Sequence, residues 1–102
     1  MTPEGKVKEE VKKILKEFGD DVWWFMPVPT GYGTRGVPDF IVCLRGTFVA
    51  IETKSGPGKK PSAFQTKQIN AIHRAGGHAV VTHCDNLDAL RSILRGLHSE
   101  AS

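Results

Sequence analysis

Three side chains in this sequence have the types and the spacing to do chemistry together. They are Asp39, which ends Gly36-Val37-Pro38-Asp39, and the two charged members of Glu52-Thr53-Lys54. Two runs of strand-forming composition, Asp39 to Leu44 and Thr47 to Thr53, are joined at Arg45-Gly46. A two-residue turn there sets Leu44 opposite Thr47, and the same register sets Asp39 opposite Glu52. Directly facing residues hold their Cβ atoms about 4.5–5.5 Å apart. Lys54 lies two residues beyond Glu52 and therefore projects from the same face. A slip of one residue would divide the two acids between opposite faces, so the turn length decides whether they meet.

Two carboxylates that close repel each other unless a cation lies between them. Mg²⁺ suits the position, because it takes oxygen ligands, keeps several waters and uses one or two protein carboxylates beside phosphate oxygens. An ion held there would polarise a phosphodiester, lower the pKa of an attacking water and help stabilise the leaving oxygen. Lys54 would neutralise developing charge and orient or activate that water. The Thr53 side chain is expected to point away into the sheet packing, while its backbone carbonyl could supply a further metal oxygen. Singly these parts are cheap. Glu-x-Lys and Pro-Asp arise readily from average composition, and acids on an exposed strand can pair locally, here with Arg45 or Lys54. Their combination on facing strands, after a glycine-rich loop and before a basic one, favours metal-dependent phosphodiester hydrolysis.

The elements that must position these residues can be read from periodicity and punctuation. Val7, Val11, Ile14, Leu15 and Phe18 recur at helical spacing between Pro3 and Phe18. Thr2-Pro3-Glu4 supplies the start signal and Gly19 the stop. Asp21 to Met26 is a short aromatic strand, and residues 27 to 36, with two prolines and three glycines, form a loop. After the hairpin, Ser55 to Pro61 is a second loop and Ser62 to Ala75 a helix with a modest apolar stripe, ended by Gly76-Gly77. Ala79 to His83 reads as a buried strand, and Leu87 to Leu94 as a last helix capped by Asp85 or Asn86. The order αβββαβα predicts an α/β domain with a mixed central sheet flanked by helices. Residues 1–96 are expected to form a single domain and residues 97–102 a frayed tail. At 102 residues, with 39% hydrophobic and 25% charged content, one core is affordable and a second is not. The net charge of +3 leans toward a polyanionic partner without identifying one. No apolar run is long enough to span a membrane, and the N-terminal segment lacks a cleavable signal pattern. Cys43 and Cys84 each lie in an apolar run and are expected to be buried, reduced thiols of a cytoplasmic protein.

Gly36-Val37-Pro38-Asp39, Glu52-Thr53-Lys54, Ser62-Ala63-Phe64-Gln65 and Ala75-Gly76-Gly77 together resemble the VRR-NUC domain, a branch of the PD-(D/E)xK nuclease superfamily. The resemblance covers nearly the whole chain and is greatest to the small standalone versions encoded by phages and prophages. It implies a restriction-endonuclease-like αβββαβ core, dependence on Mg²⁺ or Mn²⁺, and hydrolysis of DNA to 5′-phosphate and 3′-hydroxyl ends. Position by position, it implies metal binding by Asp39 and Glu52, a catalytic role for Lys54, and a polar active-site role for Gln65. Ser62-x-x-Gln65 is equally a capping box, and the two roles are compatible. The family also tends to carry an acid on the first helix near the metal. Glu4, in line with Val11 and Phe18, is favoured over Glu10, which sits further toward solvent; Glu4 would also complement the helix dipole. Small members are expected to form homodimers and to cut branched DNA such as four-way Holliday junctions. A phage-encoded member would work in the bacterial host cytoplasm.

The loop around Tyr32 and Arg35 enters the strand that carries Asp39, so Arg35 is a candidate for phosphate contact and Tyr32 for stacking on a base. Lys59, Lys60 and Lys67 follow the active strand and extend the candidate DNA-binding surface; a merely solvated face is the alternative. Of Trp23 and Trp24, adjacent on a strand, one ring must face the core and the other elsewhere, for which a subunit contact is one use. His73, His78, His83 and Cys84 match no zinc-ligand spacing, and no nucleotide- or organic-cofactor fingerprint is present. A catalytically lapsed nucleic-acid-binding module and a structural subunit of a phage complex are the competing readings. The intact Asp39, Glu52 and Lys54 weigh against both.

Overall fold

The computed structural model describes residues 1–29 and 31–101; Thr30 of the glycine-rich loop and Ser102 of the expected tail lie outside the described residues. Helix α1 (Pro3–Lys16) starts where the Thr2 hydroxyl accepts the Gly5 amide at 3.0 Å, with Pro3 in its first turn. Val7, Val11, Ile14 and Leu15 form its buried stripe. Gly19, at a φ of +56°, turns the chain through a 3-10 segment (Gly19–Asp21) into strand β1 (Val22–Phe25). Strand β2 (Phe40–Leu44) and strand β3 (Thr47–Thr53) form the expected hairpin. Arg45 and Gly46 have φ of 48° and 87°, the two positive values that a type I′ turn demands. Leu44 accordingly pairs with Thr47 and Phe40 with Ile51, the register that brings Asp39 toward Glu52.

Helix α2 (Ala63–Arg74) then crosses over to strand β4 (His78–Thr82), which pairs in parallel with β3, and helix α3 (Leu87–Glu100) follows. The four strands lie in the order β1-β2-β3-β4, a mixed sheet. Phe40, Val42, Leu44, Val49 and Ile51 line one face and pack against the α1 stripe and against Leu90 and Leu94 of α3. Trp24 joins this core, its ring 5.7 Å from that of Phe40. The opposite face carries α2 over its β4 side, and α2 buries no residue fully. Toward β1 that face remains open. Trp23, 63% exposed, pairs across with Cys43 and then Phe48, while Phe25 pairs with Ile41.

Two expectations need correction. Cys43 and Cys84 are free thiols but exposed: Cys43 alternates onto the open face, and Cys84 falls beyond the end of β4. Residues 97–100 are the last turn of α3 and not a frayed tail, because Leu97 continues the apolar stripe onto the core. The His98 ring, 2.9 Å from an Asp21 carboxylate oxygen, pins that turn to the start of β1, and Arg91 and Arg95 tie α3 to Glu17 at the end of α1.

Candidate active site

The ladder between β2 and β3 ends at Phe40 and Ile51, which leaves Asp39 just beyond it and opposite the last residues of β3. Asp39 Oδ2 takes the hydrogen bonds that a strand would have taken. It accepts from the Thr53 amide at 2.8 Å and from the Thr53 hydroxyl at 2.7 Å. The Thr53 side chain is turned into the sheet packing, as strand alternation suggests, and from there its fully buried hydroxyl anchors the Asp39 carboxylate.

Glu52 is only 3% exposed, and its carboxyl shares a hydrogen bond with that of Asp39. Its Oε2 is buried with no hydrogen-bond partner. Burial, and next the hydrogen bond and negative charge of Asp39, push the Glu52 carboxyl up to about 9, while Lys54 works weakly against the rise. Asp39 goes the other way. Burial acts to raise it, yet the hydrogen bonds from Glu52 and from Thr53, with the nearby Lys8 charge, hold it below the ordinary carboxylate value. Two carboxyl groups this close titrate as a coupled pair, with Glu52 pushed up and Asp39 held down.

Lys54 projects on the Glu52 side and donates to Gln65 Oε1 at 2.8 Å. The same oxygen accepts the Ser62 amide at 2.8 Å, while the Gln65 amide donates to the Ser62 hydroxyl at 3.2 Å. Gln65 therefore closes the capping box of α2 and anchors the lysine with one atom. Gly36 locks the glycine-rich loop to this corner. Its φ is +77°, and a Cβ there would lie 2.3 Å from the Phe64 carbonyl and 2.6 Å from the Gln65 amide. This close approach is the structural reason for glycine at the head of Gly36-Val37-Pro38-Asp39.

On α1, Glu10 pairs with Lys13 at 3.1 Å, on the helix's solvent side. Glu4 lies nearer the acids: its charge reaches Glu52, and Lys8 stands between it and Asp39. Lys8 was missed from sequence, although its i,i+4 relation to Glu4 puts both on one side of the helix. Among the described residues, no group of three His, Cys, Asp or Glu side chains converges on one point. Two acids remain, which is the number Mg²⁺ commonly takes from protein. The orphaned Glu52 Oε2 beside a second carboxylate fits such an ion, since a cation would satisfy the oxygen and relieve the repulsion.

A cleft of about 560 Å³ runs from Asp39 between the glycine-rich loop and the start of α2, past Arg35, Phe64 and Gln65. The Arg35 guanidinium lies 5.1 Å above the Phe64 ring, and its carbonyl accepts from Gln68 at 3.3 Å. Tyr32 is 98% exposed at the tip of the loop. Lys59 and Lys60 are exposed between β3 and α2, and Lys67 is exposed on α2.

No family model matches this sequence, and no curated protein matches it. A solved structure described as a VRR_NUC domain superposes with a TM-score of 0.73 at 26% identity, over 88% of this chain and 95% of that one.

Proposed function

We propose that this chain, whose restriction-endonuclease-like fold is similar to that of a VRR_NUC domain, is a Mg²⁺- or Mn²⁺-dependent DNA endonuclease. The observation that carries the reading is the contact between Asp39 and Glu52, with an orphaned carboxyl oxygen and Lys54 alongside. Asp39 and Glu52 would hold the ion, with the Thr53 carbonyl and Glu4 as further candidate ligands. When bound, the ion supplies positive charge that polarises a phosphodiester and acidifies a water. Glu52 must give up its proton to serve as a ligand, and the Thr53 hydrogen bonds keep Asp39 ionised and fixed in place. Lys54, held by Gln65, neutralises charge that builds on the phosphoryl oxygens. Arg35, which lines the cleft, and the exposed Lys59, Lys60 and Lys67 would supply phosphate contacts, and Tyr32 a ring for stacking.

The favoured substrate is branched DNA such as a Holliday junction, cut by a homodimer whose two copies provide one site per strand. Trp23, Phe25 and Phe48 on the open sheet face support that pairing, because exposed apolar surface of this kind is characteristic of subunit contacts. Among the described residues no helix is long and apolar enough to cross a membrane, and free Cys43 and Cys84 suit the reducing cytoplasm. The test is a cleavage panel of labelled junction, flap and duplex DNA with Mg²⁺ or EDTA. Junction cutting that needs the ion and disappears in Asp39→Ala supports the proposal. Cutting that persists in EDTA or in the variant rejects the mechanism, and binding without nicking in Mn²⁺ reduces the protein to a DNA-binding module.

A further inference from the structure

Lys8 is a charged side chain at the acid cluster that the proposed mechanism does not use. Its Nζ lies 3.7 Å from Glu4 Oε2 and 3.8 Å from Asp39 Oδ1. Both are ion-pair distances but too long for good hydrogen bonds, so the ammonium sits between two carboxylates without being fixed to either. The other acids of α1 behave differently. Glu9 and Glu10 each pair within the helix, with Lys12 at 2.9 Å and Lys13 at 3.1 Å. Asp39 Oδ2 accepts both Thr53 donors, and Lys8 faces the other oxygen, Oδ1, on the side where a cation entering beside Glu52 would bind.

An incoming dication needs the same oxygen, and two cations cannot share it without strong repulsion. From this geometry we infer that Lys8 is the internal counter-ion of the metal site. It holds the dication's place in the metal-free protein and is displaced when the ion enters. The inference rests on the proposed reading of Asp39 and Glu52 as metal ligands. It gives Lys8 a definite consequence: the lysine competes with the metal, so that removing its charge tightens metal binding.

The experiment is calorimetric titration of Mn²⁺ into the DNA-free protein, comparing wild type with Lys8→Met, Lys8→Gln, Lys8→Arg and Asp39→Asn. Partly exposed ion pairs of this kind are worth little each, so Lys8→Met and Lys8→Gln are expected to bind Mn²⁺ roughly three- to five-fold more tightly. Lys8→Arg should match wild type, because the competing charge is retained. In EDTA, Lys8→Met should melt below wild type and gain more than wild type on adding Mn²⁺, a pattern that loss of packing alone does not produce. Equal or weaker binding by both neutral variants overturns the inference while leaving the nuclease reading standing. Failure of wild type itself to bind Mn²⁺, or undiminished binding by Asp39→Asn, overturns the metal-site reading and this inference with it.

Discussion

Replacing Glu52 by Gln should stabilise the metal-free protein at alkaline pH, although it removes a buried hydrogen-bonded acid. The ordinary value of this carboxyl is 4.5 and the fold raises it to about 9. Unfolded, Glu52 loses its proton near 4.5; folded, it keeps the proton until about pH 9. Between those values the unfolded chain binds fewer protons than the native one, so stability falls as pH rises. The contribution is fully present below 4.5 and is lost progressively through the window up to about 9. At ~1.4 kcal/mol per unit the full gap would amount to about 6 kcal/mol. Because Asp39 and Glu52 titrate as a coupled pair, that figure is an upper bound, and the direction of the pH dependence carries the prediction. Asp39 does not offset it there. Its lowered value makes a contribution that is present above the unfolded pKa and lost only as pH falls through the folded one. The assay is urea unfolding followed by Trp23 and Trp24 fluorescence, in EDTA, at pH 5.5, 7 and 8.5. The wild-type midpoint should fall across the series, and the Glu52→Gln midpoint should fall much less and exceed wild type at pH 8.5. Histidines common to both proteins cancel in the comparison. A wild-type midpoint that follows the variant's at every pH, or a variant less stable at pH 8.5, refutes the reasoning.

Other perturbations have equally definite outcomes. Gly36→Ala places a Cβ 2.3 Å from the Phe64 carbonyl at a φ of +77°, so the start of α2 must retreat. A displacement of order 1 Å that carries Gln65 and Lys54 with it should cost cleavage about 100-fold, with the far-ultraviolet dichroism unchanged. Ser62→Ala removes the α2 cap alone and should lower stability by about 1 kcal/mol. Gln65→Ala removes both the cap partner and the Lys54 anchor, and should lower cleavage well beyond Ser62→Ala at comparable stability. Trp23→Ser should weaken self-association by about 30-fold in sedimentation equilibrium, as expected for loss of an aromatic anchor, and a monomeric wild type would dismiss the dimer.

The hairpin could be read in advance because one local rule governs it. A two-residue turn fixes register, and register fixes which residues face each other, so the Asp39 and Glu52 meeting followed from Arg45-Gly46 alone. The Thr2 start of α1 and the Ser62-Gln65 capping box were legible for the same reason, each being an interaction within four residues. Thr53 turns into the sheet packing as alternation states, but its bond to Asp39 was not legible, because Asp39 lies past the last β2–β3 pair, where its carboxylate can reach around the end of β3. Lys8 and the exposure of Cys43 depend on where α1 and α2 settle over the sheet, which no local pattern states. The last helix was expected to end at Leu94, yet the apolar contact of Leu97 and the His98 tie to Asp21 carry α3 on to Glu100.

Whether the two acids grip a single dication is tested most directly by anomalous scattering from crystals soaked in Mn²⁺. One strong manganese peak is expected at roughly 2 Å from a carboxylate oxygen of both Asp39 and Glu52, with the Lys8 ammonium withdrawn. A fully occupied manganese peak elsewhere, with Asp39 and Glu52 still sharing their hydrogen bond, would contradict it.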